Sequence, residues 1–191
     1  MPIGNQKLIA IGASTGGIDA VENVLLRLPA HVPPILLVVH MQPGITGLFA
    51  SRLEDILNYP VKEAETGDLL ERGKILIAPG GKHMKVVNKL GRLAVECYAG
   101  PRVQHVIPSA DVLFESLAPI SGPSTIGVIL TGIGADGARG LLQMRMAGAQ
   151  TIGQDEKTCL VYGMPKVAKE MGAVQYELPL DKIADKIMTL I

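Results

Sequence analysis

The stretch that decides the fold is residues 7–28, KLIAIGASTGGIDAVENVLLRL. A short aliphatic run meets a glycine-bracketed turn, Gly12-Ala13-Ser14-Thr15-Gly16-Gly17, and then an amphipathic segment. Strand, tight turn and helix is the layout of a loop that holds a nucleotide phosphate at a helix N-terminus. It is equally the layout of a nucleophile elbow, because Gly12 to Gly16 fits G-x-S-x-G, a turn that exposes a serine oxygen at the edge of a sheet. The phosphate reading meets obstacles. The strict G-x-G-x-x-G spacing is missing, no Gly-Lys-Ser/Thr follows, and the second strand, ILLVV, ends in His40 and Met41 where a ribose-binding acid would stand.

Outward from this unit, aliphatic runs alternate with helical patterns. LIAIG precedes a helix expected over Gly17 to Leu28, and PPILLVVH one over Gly47 to Leu57. TIGVILTGIG precedes a helix over Asp136 to Ala147, AQTIGQ one from Gly163, and AVQYELP one over Leu180 to Met188. Near-continuous apolar strands separated by helices indicate a parallel sheet covered on both faces. Right-handed crossovers then give a doubly wound, mostly parallel α/β sandwich. Residues 61–99 read as short β-type pieces with a hairpin turn at Asn88-Lys89-Leu90-Gly91, an antiparallel hairpin insertion attached to the same sheet. The whole of 1–191 is expected to be one domain.

Composition narrows the function classes. Apolar residues make up 48% of 191 and charged residues 19%, the balance of a folded globular chain. Aromatics are only 3% and net charge is zero, so neither a base-stacking platform nor a basic face for nucleic acid is at hand. Cys97 and Cys159 match no metal or C-x-x-C spacing and suit a reducing compartment. The aliphatic runs are too short to insert across a bilayer. These features read as a soluble, cytoplasmic protein.

Serine needs a base, and His40 ends the strand after the Ser14 turn. Asp136 lies in a second glycine-rich turn, TGIGADGARG, at another strand end. In an open α/β sheet such ends share one crevice. Asp136 is therefore placed to accept the Nδ1–H of His40 and to stabilise the imidazolium formed during attack. Other roles stay open at this point: Ser14 or Thr15 as a helix cap, His40 as a loop residue, Asp136 as the cap of the helix from Gly137.

Together these motifs resemble the catalytic domain of the chemotaxis protein-glutamate methylesterases, the CheB-type enzymes. The resemblance runs from about Leu8 to Leu178 and rests on IGASTGG, VVHMQPGITGLFASRL, KEAETGD, ILIAPGGKHM, PSADVLFESLA, GVILTGIGADGARG and QDEKTCLVYGMPKVA in that order. It implies a Ser14–His40–Asp136 triad and an oxyanion hole from the backbone amides of Thr15 and Ile133. It implies hydrolysis of γ-glutamyl methyl esters on the cytoplasmic domain of methyl-accepting chemoreceptors, with release of methanol, and deamidation of receptor glutamines. No metal or organic cofactor is implied. Met41, His105 and Tyr162 are candidates for the substrate rim, whereas His83 reads as an ordinary loop histidine, and Thr131 is expected to hydrogen-bond within its turn.

The sequence departs from the family pattern at Ile133, where methionine is common, at Ile107, often arginine, and at Gly81, often aspartate. The triad is untouched, but the ester it serves is left open. Many relatives also carry an N-terminal receiver domain that restrains the catalytic domain; here the pattern begins within ten residues of Met1, as in a fragment or a form without that switch. A serine hydrolase of another ester or amide, and an idle module that binds a signalling partner, are the competing readings.

Overall fold

The computed structural model describes residues 7–57, 59–120 and 122–191. In chain order its first elements are β1 (Leu8–Ala13), α1 (Gly17–Leu25), β2 (Ile35–Val39), α2 (Ile45–Leu57), β3 (Val61–Glu63) and β4 (Ile75–Ile77). A hairpin follows, β5 (His83–Lys89) and β6 (Arg92–Tyr98), then α3 (Ala110–Leu117) and β7 (Thr125–Ile129). The chain ends with α4 (Ala138–Met146), β8 (Gln150–Gln154), α5 (Met164–Glu170), β9 (Tyr176–Leu178) and α6 (Leu180–Leu190).

Seven strands form one parallel sheet in the order β3-β4-β2-β1-β7-β8-β9. The pleat sends alternate residues of β1 to opposite faces. Ile9, Ile11 and Ala13 join a core covered by α1, α2 and α6. Leu8 and Ala10 join a second core beneath α3, α4, α5 and the hairpin. β1 is fully buried, which explains its unbroken apolar run. It has β2 on one side and β7 on the other, so the strand order reverses about it, and a crevice opens at its carboxyl end. Among the described residues no helix is long and apolar enough to cross a membrane.

The doubly wound sandwich is as the sequence predicts, with two corrections. Residues 61–77 are not part of an antiparallel insertion: β3 and β4 pair in parallel within the main sheet. Among the described strands β5 and β6 alone pair in antiparallel fashion, and they form a separate two-stranded sheet instead of extending the large one. Strands of three residues are too short to display a period, and the buried run Ile75-Leu76-Ile77 is the stronger signal for a parallel interior strand. The turn at Leu90-Gly91 is as expected, with positive φ at both residues. The second correction is a helix that the alternation of runs did not reveal, α3, capped by Ser109.

Candidate active site

Ser14 is the first residue beyond β1. Its amide donates to the Thr131 carbonyl at 3.0 Å, beyond β7, while the Ala13 carbonyl accepts from the His40 amide at 3.1 Å, beyond β2. The serine is thus tied to both neighbouring strand ends. The chain then reverses into α1 through Gly16 at φ 78°, where an added Cβ would also lie 2.7 Å from Leu160 Cβ. Only glycine suits that position. Gly17, the first residue of α1, donates its amide to the Ser14 carbonyl at 2.7 Å, so the positive end of the helix lies beside the serine.

Ser14, Thr15, Val39, His40, Met41, Ile18 and Leu160 line a cavity of about 440 Å³. A second cavity of about 350 Å³ lies on the other side of His40 and Met41, bounded by Gln42, Pro43, Gly81, Arg102, Val106 and Ile107. Two of the positions that depart from the family pattern, Gly81 and Ile107, therefore sit together beside the histidine. Arg102 supplies a cation in the wall that Ile107 leaves uncharged.

His40 meets Asp136 at 2.7 Å, with the carboxylate almost fully buried. The nitrogen that meets it is Nε2, not the expected Nδ1. Asp136 is withdrawn to the N-terminus of α3, and the distal ring nitrogen is the one that reaches it. Its carboxylate also accepts from Ser109 Oγ at 2.5 Å, the Ala110 amide at 2.6 Å and the Asp111 amide at 3.1 Å. Burial would push this carboxyl up; the bonds from His40, Ser109 and Ala110 together with the charge of His40 outweigh it and hold the group below the usual carboxylate range. Against an ionised carboxylate, Nε2 donates, which leaves Nδ1 as the basic nitrogen. Asp136 does cap a helix, but α3 in place of the α4 that follows it.

Among the described residues Ser14 and His40 form no hydrogen bond with each other, and the amides of Thr15 and Ile133 donate to no protein acceptor. The same holds for Gly16 and Gly134. Thr15 directly follows the serine, and Ile133 directly follows Gly132, whose added Cβ would lie 2.7 Å from Ser14 Cβ. Both amides therefore border the serine, a setting fit for an oxyanion.

Of the other candidates, Met41 lines both cavities. His105 is exposed with φ 67° and lines neither. Tyr162 also lines neither: its hydroxyl donates to Glu177 at 2.6 Å, and burial and that carboxylate push the phenol up. His83 is buried, 2.9 Å from the Pro101 carbonyl. Thr131 reaches beyond its own turn, donating to the Thr15 carbonyl at 2.9 Å and accepting from the Val161 amide at 2.9 Å. Its own amide is held by Gln154 Oε1 at 2.8 Å. Ser109 and the first amides of α3 were not foreseen, although the serine of PSADVLF is an N-cap signature.

The family model for CheB methylesterase matches residues 9–187. The chain belongs to the CheB methylesterase family. It is 50% identical over 184 residues to protein-glutamate methylesterase/protein-glutamine glutaminase 4 of Anaeromyxobacter dehalogenans (strain 2CP-C), covering 96% of this chain and 52% of that protein. It is 49% identical over 186 residues to protein-glutamate methylesterase/protein-glutamine glutaminase of Agrobacterium fabrum, covering 97% of this chain and 53% of the relative. The crystal structure of the Thermotoga maritima CheB methylesterase catalytic domain superposes with a TM-score of 0.94 at 37% identity, covering 98% of this chain and all of that one. The chain thus spans about half the length of the curated relatives it matches and the full length of a solved CheB catalytic domain.

Proposed function

We propose that this chain is a cytoplasmic serine hydrolase that demethylates γ-glutamyl methyl esters on the cytoplasmic domain of chemoreceptors and deamidates receptor glutamines. The observation that carries the reading is the buried His40–Asp136 contact at the strand end beside Ser14, in a chain of the CheB methylesterase family. Ser14 is the nucleophile, His40 the base and Asp136 its partner. Nδ1 of His40 takes the Ser14 proton as Oγ attacks the ester carbonyl; that contact forms with substrate bound, as catalytic hydrogen bonds often do. The Thr15 and Ile133 amides receive the oxyanion, each such donor typically contributing roughly 3–4 kcal/mol. Asp136, held ionised, stabilises the imidazolium. His40 then protonates methoxide, which leaves as methanol, and water deprotonated by His40 cleaves the acyl-serine to glutamate. A glutamine substrate releases ammonia by the same steps.

Arg102 beside His40 favours an acidic receptor surface, and a receiver domain in a longer protein is the second partner in this reading. The test is methanol release from methylated chemoreceptor by the wild-type chain and Ser14→Ala, with fluorophosphonate labelling of both. Release and labelling by wild type, with the variant reduced on the order of 10⁴-fold or more, is expected. Equal release by the variant sinks the scheme; labelling of Ser14 without release would assign the nucleophile to another ester.

A further inference from the structure

A second buried carboxylate lies against the first and has no part in the steps above. Asp111, fully buried in the first turn of α3, accepts the Gly140 amide through Oδ1 at 2.8 Å. Its Oδ2 is buried with no hydrogen-bond partner among the described residues. Gly140 belongs to the first turn of α4, whose N-cap, Gly137, has φ 88° and no side chain to offer. At that backbone angle, and with an added Cβ 3.1 Å from Ala110 Cβ, a serine or aspartate cap there would be strained. The first turn of α4 is capped from α3 instead. Conversely, the first turn of α3 is capped by Asp136, from the loop that leads into α4.

The two aspartates therefore cap each other's helices. We infer that Asp111 is a positioning residue for Asp136: by pinning the first turn of α4 to that of α3, it fixes the loop between them and hence the carboxylate that orients His40. This rests on the assignment of Asp136 as the partner of His40. The group that surrounds the pair is consistent with this role. Burial, followed by the nearby charge of Asp136, pushes the Asp111 carboxyl up to about 6, while the Gly140 amide works against it. Arg139 and Glu115, paired at 2.6 Å, close the outer side of the two helices. The shared Gly140 bond thus makes a clamp in which Asp111 contributes shape and one acceptor, and among the described residues it forms no ion pair.

The test compares Asp111→Ala, which removes the acceptor, with Asp111→Asn, which keeps an oxygen for Gly140. The readouts are fluorophosphonate labelling of Ser14 and steady-state hydrolysis of a small p-nitrophenyl ester. Alanine is expected to lower kcat and the labelling rate at least tenfold with KM within twofold, and asparagine to stay within about threefold of wild type. Alanine at the wild-type rate, or alanine and asparagine falling alike, overturns the inference. Amide hydrogen exchange of the wild type gives a readout that needs no variant. First-turn amides exchange freely unless capped, so Ala110, Asp111 and Gly140 should be protected like mid-helix amides. Free exchange at Gly140 overturns the clamp. In Asp111→Ala, protection should fall at the amides of positions 110 and 111 as well as at Gly140; loss at Gly140 alone would make Asp111 a cap for α4 and nothing more. If wild type does not label at all, the serine-hydrolase reading fails, and the exchange measurements still decide the clamp.

Discussion

Replacing Asp111 with asparagine should change how stability depends on pH, and the size of the effect follows from the structure. The folded state holds this carboxyl at about 6 against 3.8 as the ordinary value. The side chain has no accessible surface, so solvent screening reduces the figure only modestly. Below 3.8 both folded and unfolded chains carry the proton, and the group contributes no pH dependence. Between 3.8 and about 6 the unfolded chain releases the proton while the folded one keeps it, so stability falls as pH rises. The full loss is about 3 kcal/mol, and the part lying between about pH 4.5 and 7.5 is about 2 kcal/mol. Asparagine has no proton to release and escapes that loss. Asp136 does not confuse the comparison: its carboxyl is held below 3.8, so its contribution is lost only as pH falls beneath this window. Urea unfolding of wild type and Asp111→Asn at the two pH values gives four free energies. The advantage of the variant should grow by about 2 kcal/mol from the lower to the higher pH, a shift of about 1 M in relative midpoint for a slope of about 2 kcal/mol/M. A variant-to-wild-type difference that is the same at both pH values would show that Asp111 ionises as freely when folded as when unfolded, and the reasoning about its burial would be wrong.

Two further substitutions test how the Ser14 turn is held. Thr131→Val keeps the shape but strips the hydroxyl that joins the Thr15 carbonyl to the Val161 amide, leaving a half-buried donor unpaired; thermal unfolding should register a loss of roughly 1 kcal/mol, and Ser14 labelling should slow, with both restored in Thr131→Ser. Gly132→Ala would place a methyl 2.3 Å from Met164 Sδ and 2.7 Å from Ser14 Cβ. The methionine can swing aside but the serine cannot without leaving its place, so labelling should fall at least tenfold while the circular dichroism spectrum stays that of the wild type.

The parts of this molecule legible in its sequence are those where one residue type answers one physical demand. The buried strands of β1 and β2 announce themselves because both faces are covered, and the Gly16 turn because only glycine takes its backbone angle. Ser14, His40 and Asp136 could be grouped because strand ends of an open sheet share an edge. What stayed hidden depends on neighbours distant in the chain. The pairing of β3 and β4 is set by β2, against which β4 lies, not by any period within three residues. Helix α3 spans eight residues, little more than two turns, and is fixed by packing against α4 and the hairpin as much as by its own pattern. The choice of Nε2 over Nδ1 follows from where α3 places Asp136, which no local motif states.

The same geometry answers why two aspartates packed together behave differently. Burial raises the cost of charge on both, and an ion left without partners is the most expensive arrangement. Asp136 has four donors: His40, Ser109 and two amides at a helix N-terminus. Among the described residues Asp111 has one, Gly140, and an oxygen with none. The negative charge therefore settles on Asp136, where His40 can use it, and its presence there further discourages ionisation of Asp111. Neighbouring carboxyls whose surroundings push them in opposite directions commonly mark a division of roles. Here one group faces the histidine as a charge and the other holds the helices between which that charge is set. Moving a single donor from Asp136 to Asp111 would blur the distinction, and for that reason the N-terminus of α3 is as much part of the site as the strand ends from which Ser14 and His40 project.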